Sequence, residues 1–418
     1  MSFLIAAPAS GSGKTTVTLG LLRALAQDGI ALRGAKSGPD YIDPRFHEAA
    51  CGLPCLNLDA WAMWPDRIKS LAAGSPLIVE GAMGLFDGAP PDGKGACADL
   101  ARQLSLPVVL VVDASRMAQS IAPIVKGFAS HDPAVEIAGV ILNKVGSDRH
   151  ARMLCDALAP TNIPVIGCIP RDPTLTQPSR HLGLVQAQER PDLEAFLSRA
   201  ADTMRANLDF QLLPDLIAVG SPRTRPTIAP PAQSIAIAQD AAFAFAYPHM
   251  LADWQAAGAT ISTFSPLADE AVPQADLIYL PGGYPELHAG QIAANTTFIQ
   301  SLRNAAQISD IYGECGGYMT LGETLTDAHG TSHRMAGLLP LETSFATRKL
   351  HLGYRSIQSK TGPFQGRWKA HEFHYATTIA AKGDPLFTAQ DATGTDLPDM
   401  GLIQGRVSGS FAHIIDQA

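Results

Sequence analysis

The chain has 418 residues, of which 46% are hydrophobic and 17% charged, with a formal net charge of -8. That length exceeds one ordinary core and implies two or three domains, the composition excludes a fibrous or disordered chain, and the acidic balance argues against non-specific nucleic-acid binding. No apolar run reaches the roughly 18 residues of a membrane span, and the N-terminus lacks the basic region of a secretory signal. Six cysteines, at 51, 55, 97, 155, 168 and 315, form no disulfide framework, and Cys51 and Cys55 have no second pair to complete a zinc site.

Residues 2–7 predict a short buried strand, followed by P-A-S-G-S-G-K-T-T and an amphipathic helix from Val17 to Ala26. Strand, glycine loop and helix together are the context of a phosphate-binding loop. Gly11 and Gly13 let backbone N–H groups close around phosphate oxygens, Lys14 reaches the outer phosphates, Thr15 ligates Mg²⁺, and Thr16 belongs to the same cradle. The pattern departs from its consensus at the first glycine, where Pro8 stands.

A-K-S-G-P-D-Y-I-D-P-R-F-H, residues 35–47, is expected as a tightly fixed polar loop carrying Lys36, Asp40, Asp43, Arg45 and His47; the alternative is a solvated surface loop. P-L-I-V-E-G-A-M-G-L-F-D-G, residues 76–88, predicts a buried strand that delivers Glu80 to the carboxyl edge of a parallel sheet. There a carboxylate completes Mg²⁺ coordination beside Thr15 and Asp40, while Asp87, on the next loop, is expected to face the reacting centre. Further buried strands are predicted at 107–113, 137–144 and 163–170. Continuous apolar runs between helical patterns belong to a parallel sheet covered on both faces. Asn143 ends its strand at the same edge, where its amide suits an adenine edge or is satisfied in a loop.

Residues 221–233 hold four prolines without a helical or strand period and predict a linker between a domain over 1–220 and another over 234–418. The second opens with a strand, S-I-A-I-A-Q-D, and a helical pattern around Phe245 to Ala257. D-L-I-Y-L-P-G-G-Y at 276–284 is a strand running into a Gly-Gly turn, and I-Y-G-E-C-G-G-Y-M at 311–319 is the centre of the domain. The apolar run from Gln307 to Tyr312 reads as a buried strand; Gly313, Gly316 and Gly317 tolerate φ > 0, so strand, sharp turn and helix can follow one another. Cys315 then stands on a nucleophile elbow at a helix N-terminus, with Gly283 and Gly316 offering N–H groups to an oxyanion.

The base for Cys315 is a histidine near it in space, and the candidates are His371, His374 and His413. H-E-F-H-Y at 371–375 alternates, so its two histidines face opposite sides of a strand, which weakens a zinc reading. Arg348, Lys349, His351, Arg355, Arg367 and Lys369 form either a solvated strand face or a surface for a polycarboxylate.

The two glycine turns and the cysteine resemble the class I glutamine amidotransferase domain. That family draws its histidine from the late part of the fold, which selects His413; the family's acidic residue two positions on is replaced by Ile415, with Asp416 one later, so a Cys–His dyad is expected and the orienting group stays open. Six motifs, A-P-A-S-G-S-G-K-T-T, K-S-G-P-D-Y-I-D-P, V-E-G-A-M-G-L-F-D-G, P-G-G-Y-P-E, G-E-C-G-G-Y-M and H-E-F-H-Y, resemble in order and spacing the a,c-diamide synthases that act on cobyrinic or hydrogenobyrinic acid in cobalamin biosynthesis.

The resemblance implies a phosphate-loop ATP-binding α/β domain followed by a class I glutamine amidotransferase-like α/β domain. It implies ATP and Mg²⁺ as cofactors, glutamine and a corrin polycarboxylate as substrates, and acyl phosphates amidated by ammonia freed at Cys315. Lys14, Thr15 and Glu80 match its nucleotide and Mg²⁺ positions; Asp40, Asp43 and Asp87 match loops around the acyl phosphate. The alternatives are cobyric acid synthase-type amidation of other side chains and a partner-sorting ATPase with an inactive amidotransferase domain. A reducing cytoplasm is the expected setting, since Cys315 must stay free. No nucleic-acid or membrane partner is expected, and a homodimer is retained as an option.

Overall fold

Seven parallel strands carry the N-terminal unit: β1 (Phe3–Ala6), β2 (Arg33–Ser37), β3 (Leu56–Leu58), β4 (Leu77–Glu80), β5 (Val108–Asp113), β6 (Ile137–Val145) and β7 (Val165–Pro170). The computed structural model describes residues 2–175, 179–180, 183–220 and 227–418, without the side chains of 179–180 and 183–184. The strands lie in the order β3-β2-β4-β1-β5-β6-β7. The chain therefore moves to one side of β1 and then to the other, and the loop after β1 opens at the switch point of the sheet. The strand Phe3–Ala6 is wholly apolar and buried, as expected of a parallel sheet covered on both faces. The sequence pattern missed β3, whose three residues are too few to show a period.

The polar loop expected at 35–47 ends early. Asp43–Cys51 is a helix, so Asp43, Arg45 and His47 leave the loop that was to hold them. Pro44 sits in its first turn and Asp43 is its acidic first-turn residue, both of which favour a helix start. Lys36, Asp43 and His47 are buried, which removes the solvated-loop reading.

The chain divides into two compact units, residues 1–226 and 227–418. Of the linker expected at 221–233, residues 221–226 lie outside the described residues.

The C-terminal unit has a six-stranded sheet in the order Thr260–Phe264, Ser234–Ala238, Leu277–Leu280, Asp310–Glu314, Val407–Ser410, Leu402–Gln404, parallel except for the last pair. A five-stranded antiparallel sheet follows the order Asp396–Met400, Phe387–Gln390, His351–Ser359, Gly366–His374, Ala412–Gln417. Phe411 alone separates Val407–Ser410 from Ala412–Gln417, so one stretch of chain passes directly from the first sheet to the second. Gly409 and Ser410 are paired strand residues beside Gly313 and Glu314. The strand expected from Gln307 starts at Asp310, and Ile308 is 69% exposed on the turn before it.

Candidate active sites

The first site forms at the carboxyl edge of the seven-stranded sheet. Gly13 takes φ 94° at the head of the helix Lys14–Gln27, a left-handed conformation that glycine adopts without a Cβ clash. A Cβ there would lie 2.1 Å from Asn143 Nδ2. The Asn143 amide donates to the Ser12 carbonyl at 2.9 Å, and its Oδ1 accepts from the Lys144 N–H at 2.9 Å. Both ends of this amide thus have partners in the loop and strand beside it, the satisfied-loop arrangement that stood next to the adenine-edge reading. Thr16 Oγ1 donates to the Leu175 carbonyl at 3.3 Å, and Lys14 Nζ to the Met83 carbonyl at 2.5 Å. Burial lowers the Lys14 ammonium below its usual range, leaving a poorly solvated cation that gains from a phosphate.

Behind the loop, charges gather out of water. Thr15 Oγ1 donates to Glu80 Oε1 at 2.6 Å, and Lys36 Nζ reaches Glu80 Oε1 at 2.9 Å and Asp43 Oδ2 at 2.5 Å. His47 Nε2 lies 2.7 Å from Glu80 Oε2, and Asp40 Oδ2 lies 3.8 Å from Lys36. Burial alone would raise Glu80, but Lys36, His47 and Thr15 hold it well below the usual carboxylate range. Burial likewise works against charge on Lys36, yet Asp43 and Glu80 hold it well above its ordinary value. Asp40 is partly spent on structure: its Oδ1 accepts the Ile42 and Asp43 N–H groups at 2.8 and 3.0 Å.

This donor set fits Mg²⁺. A hydroxyl and carboxylates are hard oxygen ligands, and three carboxylates already surround one cation, the Lys36 ammonium. Asp87 stands apart, exposed on its loop, with Oδ2 accepting the Gly84 N–H at 2.8 Å. Lys36 is the residue the sequence named without giving it a task; a lysine ending a buried strand was the available signal.

The second site lies where the two C-terminal sheets meet. Cys315 takes φ 45° and ψ -101° between the strand Asp310–Glu314 and the helix Gly316–Leu321, so the left-handed residue is the cysteine itself. Its flanking glycines serve packing: a Cβ on Gly317 would sit 1.9 Å from the Leu280 carbonyl oxygen, and one on Gly316 would sit 3.1 Å from the Gly283 nitrogen. The Cys315 turn and the Gly282-Gly283 turn are thus pressed together, bringing both predicted oxyanion donors to one place.

The Cys315 N–H donates to the Ser410 carbonyl at 2.8 Å, and three residues later His413 hydrogen-bonds the Cys315 side chain. His413 is 2% exposed. Burial alone would lower its imidazole, but the Cys315 sulfur and Glu314 carboxylate raise it to about 10. Glu314, which the sequence reading passed over, is 1% exposed and places Oε2 3.6 Å from His413 Nδ1. A charged residue ending a buried strand was again the signal.

His371 is the cross-strand partner of His413, and burial with the neighbouring His413 charge pushes it down to about 3. It therefore stays neutral and is a poor proton acceptor. His374 faces the other way, stacked on Phe411 with ring centroids 3.8 Å apart and bonded to Glu372 Oε1 at 3.0 Å.

His351, Glu372 and His374 place potential ligand atoms within 4.8 Å of one another. The two imidazoles stack at 4.6 Å with planes 6° apart, so their in-plane lone pairs run parallel instead of converging, and Arg355 already pairs with Glu372 at 2.7 Å. Arg348, Lys349 and Arg367 are exposed. No helix among the described residues is long and apolar enough to cross a membrane.

Residues 3–185 match the CobQ/CobB/MinD/ParA nucleotide binding domain, and residues 234–418 match the CobB/CobQ-like glutamine amidotransferase domain. The chain is 56% identical over 428 residues to the hydrogenobyrinate a,c-diamide synthase of Brucella anthropi, covering 99% of this chain and 98% of that one. It is 52% identical over 426 residues to the protein of that name from Rhizobium meliloti, with the same coverage, and 49% identical over 433 residues to the one from Mesorhizobium japonicum, covering 100% and 99%.

Proposed function

The chain belongs to the hydrogenobyrinate a,c-diamide synthase family, and from that membership we propose that it converts the a and c acetate carboxylates of hydrogenobyrinate into amides with ATP and glutamine. The observation that carries this reading is the buried contact between Cys315 and His413 beside the Gly282-Gly283 turn.

The chemistry explains why two sites are needed. A carboxylate is a poor electrophile, and ammonium, protonated at neutral pH, is no nucleophile. At the first site, Lys14 and the loop N–H groups bind the ATP phosphates. Thr15 and Glu80, with Asp40 Oδ2, would hold Mg²⁺, which neutralises phosphate charge when bound. A substrate carboxylate oxygen attacks the terminal phosphorus and ADP leaves, giving an acyl phosphate. Lys36 supplies positive charge beside it, with Asp43 at the head of its helix and Asp87 on its exposed loop as the residues on the side that receives the corrin acid.

At the second site, Cys315 sulfur adds to the side-chain amide carbon of glutamine, and the Gly283 and Gly316 N–H groups receive the oxyanion. His413 passes a proton to the amide nitrogen, the C–N bond breaks and ammonia departs. Water then adds to the thioester; its proton passes through His413 to the sulfur, the C–S bond breaks and glutamate leaves. Ammonia attacks the acyl phosphate and expels phosphate. The free thiol makes the cytoplasm the setting this chemistry calls for, and a homodimer is the assembly to test by sizing.

The test is to incubate purified protein with ATP, Mg²⁺, glutamine and hydrogenobyrinate and follow the product by mass spectrometry. Two successive exchanges of hydroxyl for amino are expected, with glutamate formed. The Cys315→Ala variant should lose glutamine use and keep amidation from high ammonium. Normal glutamine use by that variant would overturn the role of the thiol.

A further inference from the structure

We propose that Glu314 is the positioning carboxylate of the glutaminase site, holding the His413 imidazole against Cys315 and balancing its charge while the proton is carried. This rests on the glutamine-hydrolysing reading above. The acid that the class I pattern puts two positions after the histidine is Ile415 here, and Asp416 Oδ1 accepts the N–H of Gln417 at 2.8 Å.

The backbone explains how the residue before the nucleophile can do this work. In a regular strand, consecutive side chains point to opposite faces, so Glu314 and Cys315 would not reach one imidazole. Cys315 leaves the strand at φ 45°, which undoes the alternation and brings both to the same ring. The strained backbone at the thiol is thus also what recruits the carboxylate.

Glu314 is held from several directions. Tyr279 Oη donates to Oε2 at 2.9 Å, and the Ile414 N–H donates to Oε1 at 3.1 Å, while Oε2 faces His413 Nδ1 at 3.6 Å. A buried carboxylate without such partners is costly, and their convergence fixes its orientation. The Ile414 bond ties the carboxylate to the residue after the histidine, so it grips the strand as well as the ring. The titratable groups around His413 are Cys315 and Glu314 from the elbow and His371 and His374 from the neighbouring strand. Burial chiefly lowers both of those histidines, so neither adds a standing positive charge, and Glu314 faces the ring beside the sulfur.

The experiment compares wild type, Glu314→Gln and Glu314→Asp in the full chain. For Glu314→Gln, the glutamine-dependent kcat should fall about 100-fold with KM for glutamine little changed, as for loss of a group acting in proton transfer. The alkaline limb of glutamine hydrolysis, set by His413, should move to lower pH because the ring has lost a stabilising anion. Ammonium-dependent amidation should stay at the wild-type rate. Glu314→Asp, which keeps the charge but withdraws it, should fall between the two, and it carries the test alone if the glutamine variant does not fold. A folded variant with wild-type kcat and an unmoved alkaline limb would overturn the proposal. Failure of the function itself would look different, since wild type would then release no glutamate.

Discussion

Gly282 and His413 are in such close contact that a β-carbon on Gly282 would lie 2.3 Å from the imidazole Cε1. The turn that leads to Gly283, the proposed oxyanion donor, is therefore also the surface against which the His413 ring rests. Gly282→Ala must displace the ring or the turn. Its expected cost is about 1–3 kcal/mol of stability, as for other overpacked sites, read as a lowered melting temperature. Glutamine-dependent amidation should be nearly lost, while amidation from ammonium persists.

Lys14→Ala should behave in the opposite way. Its ammonium is assigned to the phosphates, so its removal should stop amidation from glutamine and from ammonium alike. A steady-state assay with each nitrogen source checks this. Ammonium-supported turnover at the wild-type rate would remove Lys14 from the phosphate site.

Lys36→Met tests the buried charge cluster. It leaves Glu80 and Asp43 without the ammonium they share at 2.9 and 2.5 Å. Removing one partner of a buried ion pair typically costs about 3–5 kcal/mol. Because the carboxylates then lack a cation, Mg²⁺ should raise the melting temperature of the variant more than that of wild type. Calorimetry with and without Mg²⁺ gives both numbers.

Glu286 sets a pH dependence of stability. The residue follows the Gly282-Gly283 turn, is 6% exposed, and has Oε1 without a hydrogen-bond partner. Burial raises its carboxyl from 4.5 to about 8, eased only by its own N–H. Between those values the folded chain keeps a proton that the unfolded chain has released. Stability from this group is full at acid pH and falls as pH rises through the window, by at most about 1.4 kcal/mol per pH unit. Glu286→Gln should remove that slope and melt higher than wild type at pH 9; equal melting temperatures there would contradict it.

The α/β architecture was legible because its strands are continuous apolar runs, and a doubly covered parallel sheet demands them. Asn143 shows where such reading stops. Its place at the sheet edge follows from the sequence, but its bond to the Ser12 carbonyl depends on the approach of a residue 131 positions away in the chain. Asp43 shows a second limit, since Gly-Pro-Asp and Asp-Pro signal a fixed backbone without saying that the second pair opens a helix. The elbow at Cys315 was legible from its glycines, though for another reason than the structure gives. The sequence suggested freedom of φ; the structure uses absent side chains and puts the left-handed twist on the cysteine. Glu314 was hidden by that substitution, because the strand rule aims it away from its neighbour.

Phe411 joins the parallel and antiparallel sheets as a single residue, and Cys315 lies beside the first sheet while His413 lies on the second. The carboxylate of Glu314 meets the backbone of Ile414 across 100 positions of chain. Cys315 and His413 can therefore meet only when both sheets are formed, so their contact is built from long-range pairings of the kind that close slowly.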